Sequence, residues 1–186
     1  MSDIARRLLL LGGAGLLATA TTAHADETMA WDFSFPAIDE GTLDFAKMKG
    51  KVLLVANTAS FCGFTYQYEG LEKLHAAGQP RGLTVIGVPS QDFNQESADN
   101  ATVKTFCEAT FGVQFPMAGI EHVKGPEAAP FYRWVRETKN WEPSWNFNKV
   151  LIGRDGAIKG LFGSGDEPTG PKLRSAIDAE LARPAA

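Results

Sequence analysis

The sequence predicts an α/β sandwich in which a parallel strand-helix-strand unit is followed by an antiparallel hairpin and a closing helix. Three observations lead there. The apolar runs Val52-Leu53-Leu54-Val55-Ala56 and Leu83-Thr84-Val85-Ile86-Gly87-Val88 have the length and continuity of buried strands. Between them, Tyr68 to His75 has amphipathic helical spacing, and strand, helix and strand in that order imply parallel pairing through a right-handed crossover. Near the end, Arg154-Asp155-Gly156 places an Asp-Gly turn between the apolar runs 149–153 and 157–162.

The elements follow in chain order. Trp31 to Phe35 alternates, Asp39-Glu40-Gly41 turns, and Thr42 to Phe45 answers, which predicts an N-terminal hairpin. The first core strand covers 52–58, and the helix after it ends near Ala77-Gly78. The second core strand covers 83–88. A polar loop from Pro89 to Asn100 leads into a helix over about 101–111, with Val103, Phe106 and Phe111 as candidate core positions and Cys107 beside Phe106. A further helix covers about 129–138, where Phe131, Tyr132, Trp134 and Val135 read as packing. Leu173 to Leu181 forms the closing amphipathic helix. This layout is that of a thioredoxin-like three-layer α/β/α sandwich with an N-terminal β-hairpin.

The chain has 186 residues, with 44% hydrophobic and 22% charged residues, the composition of an ordinary globular protein. Residues 1–25 read as an export signal: Arg6-Arg7 precedes an apolar stretch from Leu8 to about Ala20, and Ala23-His24-Ala25 offers a small-x-small cleavage site. The paired arginines also permit twin-arginine export. The expected product is one domain, 26–186, in the periplasm. Removing Asp3, Arg6 and Arg7 takes the formal charge from −4 to −5. A mildly acidic chain without a basic cluster argues against nucleic acid and anionic membrane surfaces as partners.

Two cysteines are the candidate reactive groups. Cys62 sits between the first core strand and its helix, where free backbone N–H groups and the positive end of a helix dipole favour thiolate. The alternative is a small buried hydrophobe. Cys62 and Cys107 are too far apart for a Cys-x-x-Cys pair or a zinc spacing, and only His75 and His122 lie beyond the signal, so neither a metal nor a cofactor is expected. In an exported protein the two thiols could equally form a structural staple.

Longer segments resemble a known family. Gly50-Lys51-Val52-Leu53-Leu54-Val55-Ala56-Asn57-Thr58-Ala59-Ser60-Phe61-Cys62-Gly63-Phe64-Thr65, continued by Tyr68-Glu69-Gly70-Leu71, is similar to the signature segment of the glutathione peroxidase family. Gly87-Val88-Pro89-Ser90, Phe106-Cys107-Glu108, Phe111 to Met117 and Trp145-Asn146-Phe147-Asn148-Lys149 extend the resemblance, which runs from about Trp31 to Phe162.

The resemblance implies a thiol peroxidase. Cys62 matches the peroxidatic residue, and Trp145 and Asn146 match a pair that lines the pocket and donates hydrogen bonds near the reactive sulfur. Cys107 matches the resolving cysteine of the thioredoxin-reduced branch. The implied cycle passes through a Cys62 sulfenic acid to a Cys62–Cys107 disulfide, with part of the Cys107 helix unwinding. The loop after the second strand departs from the family pattern Asn-Gln-Phe-Gly-x-Gln-Glu. Here it reads Ser90-Gln91-Asp92-Phe93-Asn94-Gln95-Glu96, one residue shorter. Registered on Phe93, the tetrad glutamine falls on Asp92, which would repel a thiolate if close; Gln91 or Gln95 could substitute after a loop shift. The chain lacks the insertion that resembles an oligomerisation segment in tetrameric relatives, and it has no Arg/Lys cluster for glutathione carboxylates. Both point to a monomer reduced by a thioredoxin-like dithiol, with glutathione as the other donor. The alternatives are a redox relay or sensor, or a non-catalytic module with a structural disulfide.

Overall fold

The computed structural model describes residues 28–184, so the expected export segment lies outside the described residues. A short hairpin opens the chain: β1 (Ser34–Pro36) pairs antiparallel with β2 (Thr42–Asp44). It is shorter than the alternating pattern suggested. Ala30–Asp32 is a 3-10 turn because the Asp32 carboxylate accepts the Met29 N–H at 2.9 Å. Phe45 opens another such turn, in which the Asp44 carboxylate accepts the Ala46 N–H at 2.9 Å. Local carboxylate capping outcompetes the strand ladder at both ends.

The core unit is β3 (Val52–Thr58), α1 (Gln67–Gly78) and β4 (Leu83–Pro89), with β3 and β4 parallel from Val52 opposite Leu83 to Thr58 opposite Pro89. Next come α2 (Asn100–Phe111) and α3 (Pro130–Lys139). The hairpin β5 (Lys149–Ile152) and β6 (Ile158–Phe162) follows, then α4 (Pro171–Leu181). The sheet order is β4-β3-β5-β6, with β5 antiparallel to both β3 and β6. These are the expected elements in the expected order.

Every residue of β3 and β4 is buried. Their side chains alternate between the two faces with the strand period of two. Val52, Leu54 and Ala56 face a core shared with Leu71 of α1, Val103 and Cys107 of α2, and Leu173 and Ile177 of α4. Leu53 and Val55 face the other core, where Phe131, Tyr132, Trp134 and Val135 of α3 pack with Phe35 and Phe45. Phe131 meets Phe35 and Phe45 edge to face at 5.8 and 5.6 Å, the arrangement the ring quadrupoles favour. Phe106 and Phe111 are only partly buried, so α2 rests on Val103 and Cys107. Among the described residues, no helix is long and apolar enough to cross a membrane.

The architecture puts three loops at one end of the sheet: 59–66 after β3, 90–99 after β4 and 140–148 before β5. The carboxyl ends of β3 and β4 emerge beside the start of the antiparallel β5 (Ala56 lies opposite Lys149), so all three loops converge there.

Candidate active site

Cys62 lies in the turn between β3 and α1 and is 7% exposed. Thr65 fixes this turn. Its hydroxyl oxygen accepts the Cys62 N–H at 3.1 Å, and its N–H donates to the Cys62 carbonyl at 3.0 Å. The Phe64 N–H then points at the sulfur, donating to Cys62 Sγ at 3.4 Å. The regular helix begins only at Gln67. The backbone help to the sulfur therefore comes from a turn amide, since a helix dipole fades within its first turn. Phe61, Tyr66 and Trp145, at 67%, 53% and 39%, are the exposed large hydrophobics among the described residues.

Asn57, at the end of β3, holds the Trp145-Asn146 loop with all four of its polar groups. Its N–H donates to the Asn148 carbonyl and its carbonyl accepts the Phe147 N–H, at 3.1 and 2.7 Å. Its side-chain amide donates to the Trp145 carbonyl at 3.0 Å, and its side-chain oxygen accepts the Asn148 N–H at 3.1 Å. Phe147 takes a left-handed backbone, φ 59°, unusual for a bulky residue. Its ring is fully buried, edge to face with Tyr68 at 5.2 Å. That packing holds a costly backbone state in place, as is common where a site needs a sharp change of direction.

The loop from 90 to 96 reaches the site through Gln95, not Asp92. The Asn94 N–H donates to the Gln91 carbonyl at 2.8 Å and Asn94 adopts φ 56°, so the shortened loop closes as a tight turn. After this turn Gln95 Oε1 accepts from Asn146 Nδ2 at 3.0 Å, and the Gln95 carbonyl accepts the Phe61 N–H at 2.9 Å. Phe93 packs on Trp145, ring centroids 5.3 Å apart. The Asp92 carboxylate is committed elsewhere: Oδ1 is 2.6 Å from His122 Nδ1, and Oδ2 accepts the N–H groups of Val123 and Lys124 at 2.6 and 3.2 Å. Although burial raises the Asp92 pKa, these partners together hold it below the ordinary value, and the ion pair raises that of His122. Registering the loop on Phe93 placed Asp92 at the tetrad glutamine's position; in the structure Asp92 pairs with His122, and Gln95 is the side chain that meets Asn146. The loop reverses at Asn94, and the residue after the reversal, Gln95, lies against Asn146.

Cys107 occupies a different environment. It is 1% exposed, in the middle of α2, and both cysteines are free thiols. Burial pushes its pKa up to about 11, and the charges of Glu96 and Glu108 add to the rise. The Tyr68 hydroxyl lies beside the thiol and opposes that rise, yet it has no hydrogen bond of good geometry. Sequence reasoning missed Glu96, a buried acid whose Oε1 accepts the Ser60 N–H at 3.2 Å. Its match to the closing glutamate of the family pattern was the signal that could have drawn attention to it.

Residues 30–136 match the family model described as glutathione peroxidase. The chain is similar to a glutathione peroxidase of Lactococcus lactis, 40% identical over 143 residues, which are 74% of this chain and 91% of that one. It is also similar to a hydroperoxy fatty acid reductase of Synechocystis, 37% identical over 158 residues, 79% of this chain and 93% of the relative. Among solved structures, one called Trgpx in its apo form superposes with a TM-score of 0.68 at 34% identity, covering 86% of this chain and 99% of that one. With a thioredoxin-like sheet and a family match over more than half its length, this chain belongs to the glutathione peroxidase family and is a thiol peroxidase.

Proposed function

We propose that Cys62 is the sulfur that attacks the peroxide and that Cys107 resolves the product, with Trp145, Asn146 and Gln95 completing the site. The observation that carries this reading is the set of hydrogen bonds that ties the Trp145-Asn146 loop and Gln95 to the residues just before Cys62. Asn57 holds Trp145 and Asn148, Asn146 holds Gln95, and the Gln95 carbonyl holds Phe61, the residue before Cys62. Neutral amides arranged this way can stabilise charge on a sulfur and on a departing oxygen without ionising themselves.

The cycle balances with the groups present. The Cys62 thiolate attacks one peroxide oxygen and the O–O bond breaks. The sulfur becomes a sulfenic acid, and the other oxygen leaves as water or an alcohol after taking a proton. The Cys107 sulfur then displaces hydroxide from the sulfenic acid, which departs as water with the Cys107 proton and leaves a disulfide. An external dithiol reduces that disulfide by exchange. A thioredoxin-like donor suits a buried resolving thiol and a monomer, and glutathione is the second candidate. The exposed rim of Phe61, Tyr66 and Trp145 suits an organic hydroperoxide as well as hydrogen peroxide. The basic, apolar and small-residue pattern of residues 1–25 supports export to the periplasm.

Peroxide consumption by wild type, Cys62→Ser and Cys107→Ser, with thioredoxin-type and glutathione donors supplied separately, tests the reading. Cys62→Ser should be inactive with both donors. Cys107→Ser should complete one turnover and lose cycling with the dithiol. Full activity in Cys62→Ser would overturn the assignment.

A further inference from the structure

Glu96 is 5% exposed and has no part in the cycle above, yet it sits where two of the converging loops meet. Its Oε1 accepts two N–H groups, from Ser60 at 3.2 Å and from Ser97 at 2.7 Å. Gln91 holds its backbone in place: the Gln91 side-chain amide donates to the Glu96 carbonyl, and the Glu96 N–H donates to Gln91 Oε1 at 3.4 Å. One residue earlier, the Gln95 carbonyl accepts the Phe61 N–H at 2.9 Å. Ser60 and Phe61, the two residues before Cys62, thus hang by consecutive N–H groups on Glu96 and Gln95. The Gln95 side chain in turn meets Asn146 at 3.0 Å.

We propose that Glu96 is a positioning residue for the peroxidase reaction: its carboxylate fixes the Cys62 turn in register with the Gln95–Asn146 pair. This assignment rests on the roles proposed above for Cys62, Gln95 and Asn146. Glu96 touches no reacting atom and acts through the Ser60 backbone. A carboxylate suits the task, because one ionised oxygen accepts two N–H groups with charge-assisted strength. The second oxygen takes neither of these N–H groups. Glu96 Oε2 is buried without a hydrogen-bond partner, as are Ser60 Oγ, Thr58 Oγ1 and the Tyr68 hydroxyl. Burial raises the Glu96 pKa, and its charge is felt by Tyr68 of α1 and Cys107 of α2.

The geometry separates position from charge. A glutamine at 96 keeps an acceptor oxygen for Ser60 and Ser97 and turns an NH2 group towards oxygens that now lack donors. An aspartate keeps the charge but falls short of Ser60 by one methylene, about 1.5 Å. The experiment measures two reactions at Cys62 in wild type, Glu96→Gln, Glu96→Asp and Glu96→Ala. One is single-turnover oxidation by hydrogen peroxide across a pH series, which needs the aligned amides. The other is alkylation by iodoacetamide, which uses the same thiolate but has no departing peroxide oxygen for the amides to stabilise.

Glu96→Gln should oxidise within about twofold of wild type with the same pH profile. Glu96→Asp and Glu96→Ala should oxidise roughly 10- to 100-fold more slowly, the scale of a misplacement near 1 Å, while alkylation changes less than about threefold. A general loosening of the fold would move both reactions together and would overturn the assignment. If the alanine variant does not fold by circular dichroism, the aspartate and glutamine variants still decide. Wild-type oxidation rates in Glu96→Asp would refute the positioning role. A glutamine variant as slow as the aspartate one would refute it too, by making the charge or proton the working property. A wild-type protein inert towards peroxide would overturn the functional reading and this assignment with it.

Discussion

Cys107 should be chemically silent in the reduced protein, and the silence can be measured. Burial in α2 takes its pKa from 9.0 to about 11. At pH 7 the thiolate fraction is then about 10⁻⁴, against about 10⁻² for a thiol at 9.0, because each pKa unit is a factor of ten. Since the thiolate is the nucleophile, iodoacetamide should label Cys107 at least roughly 100-fold more slowly in native Cys62→Ser than in the same protein unfolded in urea. The native rate should keep climbing past pH 10. The same shift has a stability signature. A folded-state pKa above the unfolded one means the contribution is complete below pH 9 and is lost as pH rises through about 11. Its full size is about 3 kcal/mol. Urea melts of wild type and Cys107→Ser at pH 8 and pH 10.5 should therefore converge or cross as pH rises. Equal labelling in the native and unfolded states at pH 7, or a native pH profile that levels off near 8.5, would refute the reasoning.

Three other changes test separate parts of the structure. Asp92→Asn should leave the pH curve of Cys62 alkylation where it is in wild type, and should lower the His122 titration midpoint seen by NMR, because the Asp92 carboxylate raises it; a displaced Cys62 curve would mean that Asp92 faces the sulfur after all. Asn57→Ala orphans the Trp145 carbonyl and the Asn148 N–H, so it should cost roughly 2–5 kcal/mol in urea unfolding and reduce peroxidase activity more than tenfold. Lys149 is fully buried, donating to Gln67 Oε1 and the Asp166 carbonyl at 2.6 and 2.7 Å, and burial lowers its pKa to about 8. A depressed folded pKa adds stability above pH 10.5 that is lost as pH falls through 8, so wild type should gain up to about 3 kcal/mol over Lys149→Met between pH 7 and 11.

The strands were legible because nothing local competes with them. Val52 to Thr58 and Leu83 to Pro89 are dominated by apolar residues and buried on both faces, so periodicity and burial agree. The N-terminal hairpin was longer in the sequence than in the structure because Asp32 and Asp44 cap turns at either end, a side-chain interaction that an alternating pattern does not register. The same kind of local geometry hid the contact between Gln95 and Asn146. Which of Asp92 and Gln95 reaches Asn146 depends on where a seven-residue loop reverses, and the reversal sits at Asn94 with φ 56°. Asparagine tolerates that conformation, but its presence does not announce it. The role of Asn57 was invisible for another reason. Its bonds cross from residue 57 to residues 145–148, and only the pairing of β3 with β5 brings those ends together.

The placement of the two thiols also bears on how a disulfide between them could form. Cys62 waits in a turn with an amide already directed at its sulfur, whereas Cys107 waits neutral in a helix. For Cys107 to attack, α2 has to let it go, and α2 is lightly held. Of its 12 residues only Val103 and Cys107 are buried. Burying one valine and one cysteine contributes on the order of 3 kcal/mol, with a further share from the partly covered Phe106 and Phe111. The ends are better fixed: Asp99 accepts the Thr102 N–H at 2.8 Å, and Gly112 closes the helix in a left-handed conformation, φ 63°, donating to the Glu108 carbonyl at 3.0 Å. With only Val103 and Cys107 as buried anchors between its caps, α2 should open over the turn that carries Cys107 for little more than the cost of exposing that side chain. The Cys107 thiolate gains solvation by leaving, because burial is what raises its pKa. Ionisation and release therefore favour each other. Amide exchange across residues 103–108 should quicken on raising the pH from 7 to 10 by more than the intrinsic base catalysis of exchange, and Cys107→Ser should abolish that excess.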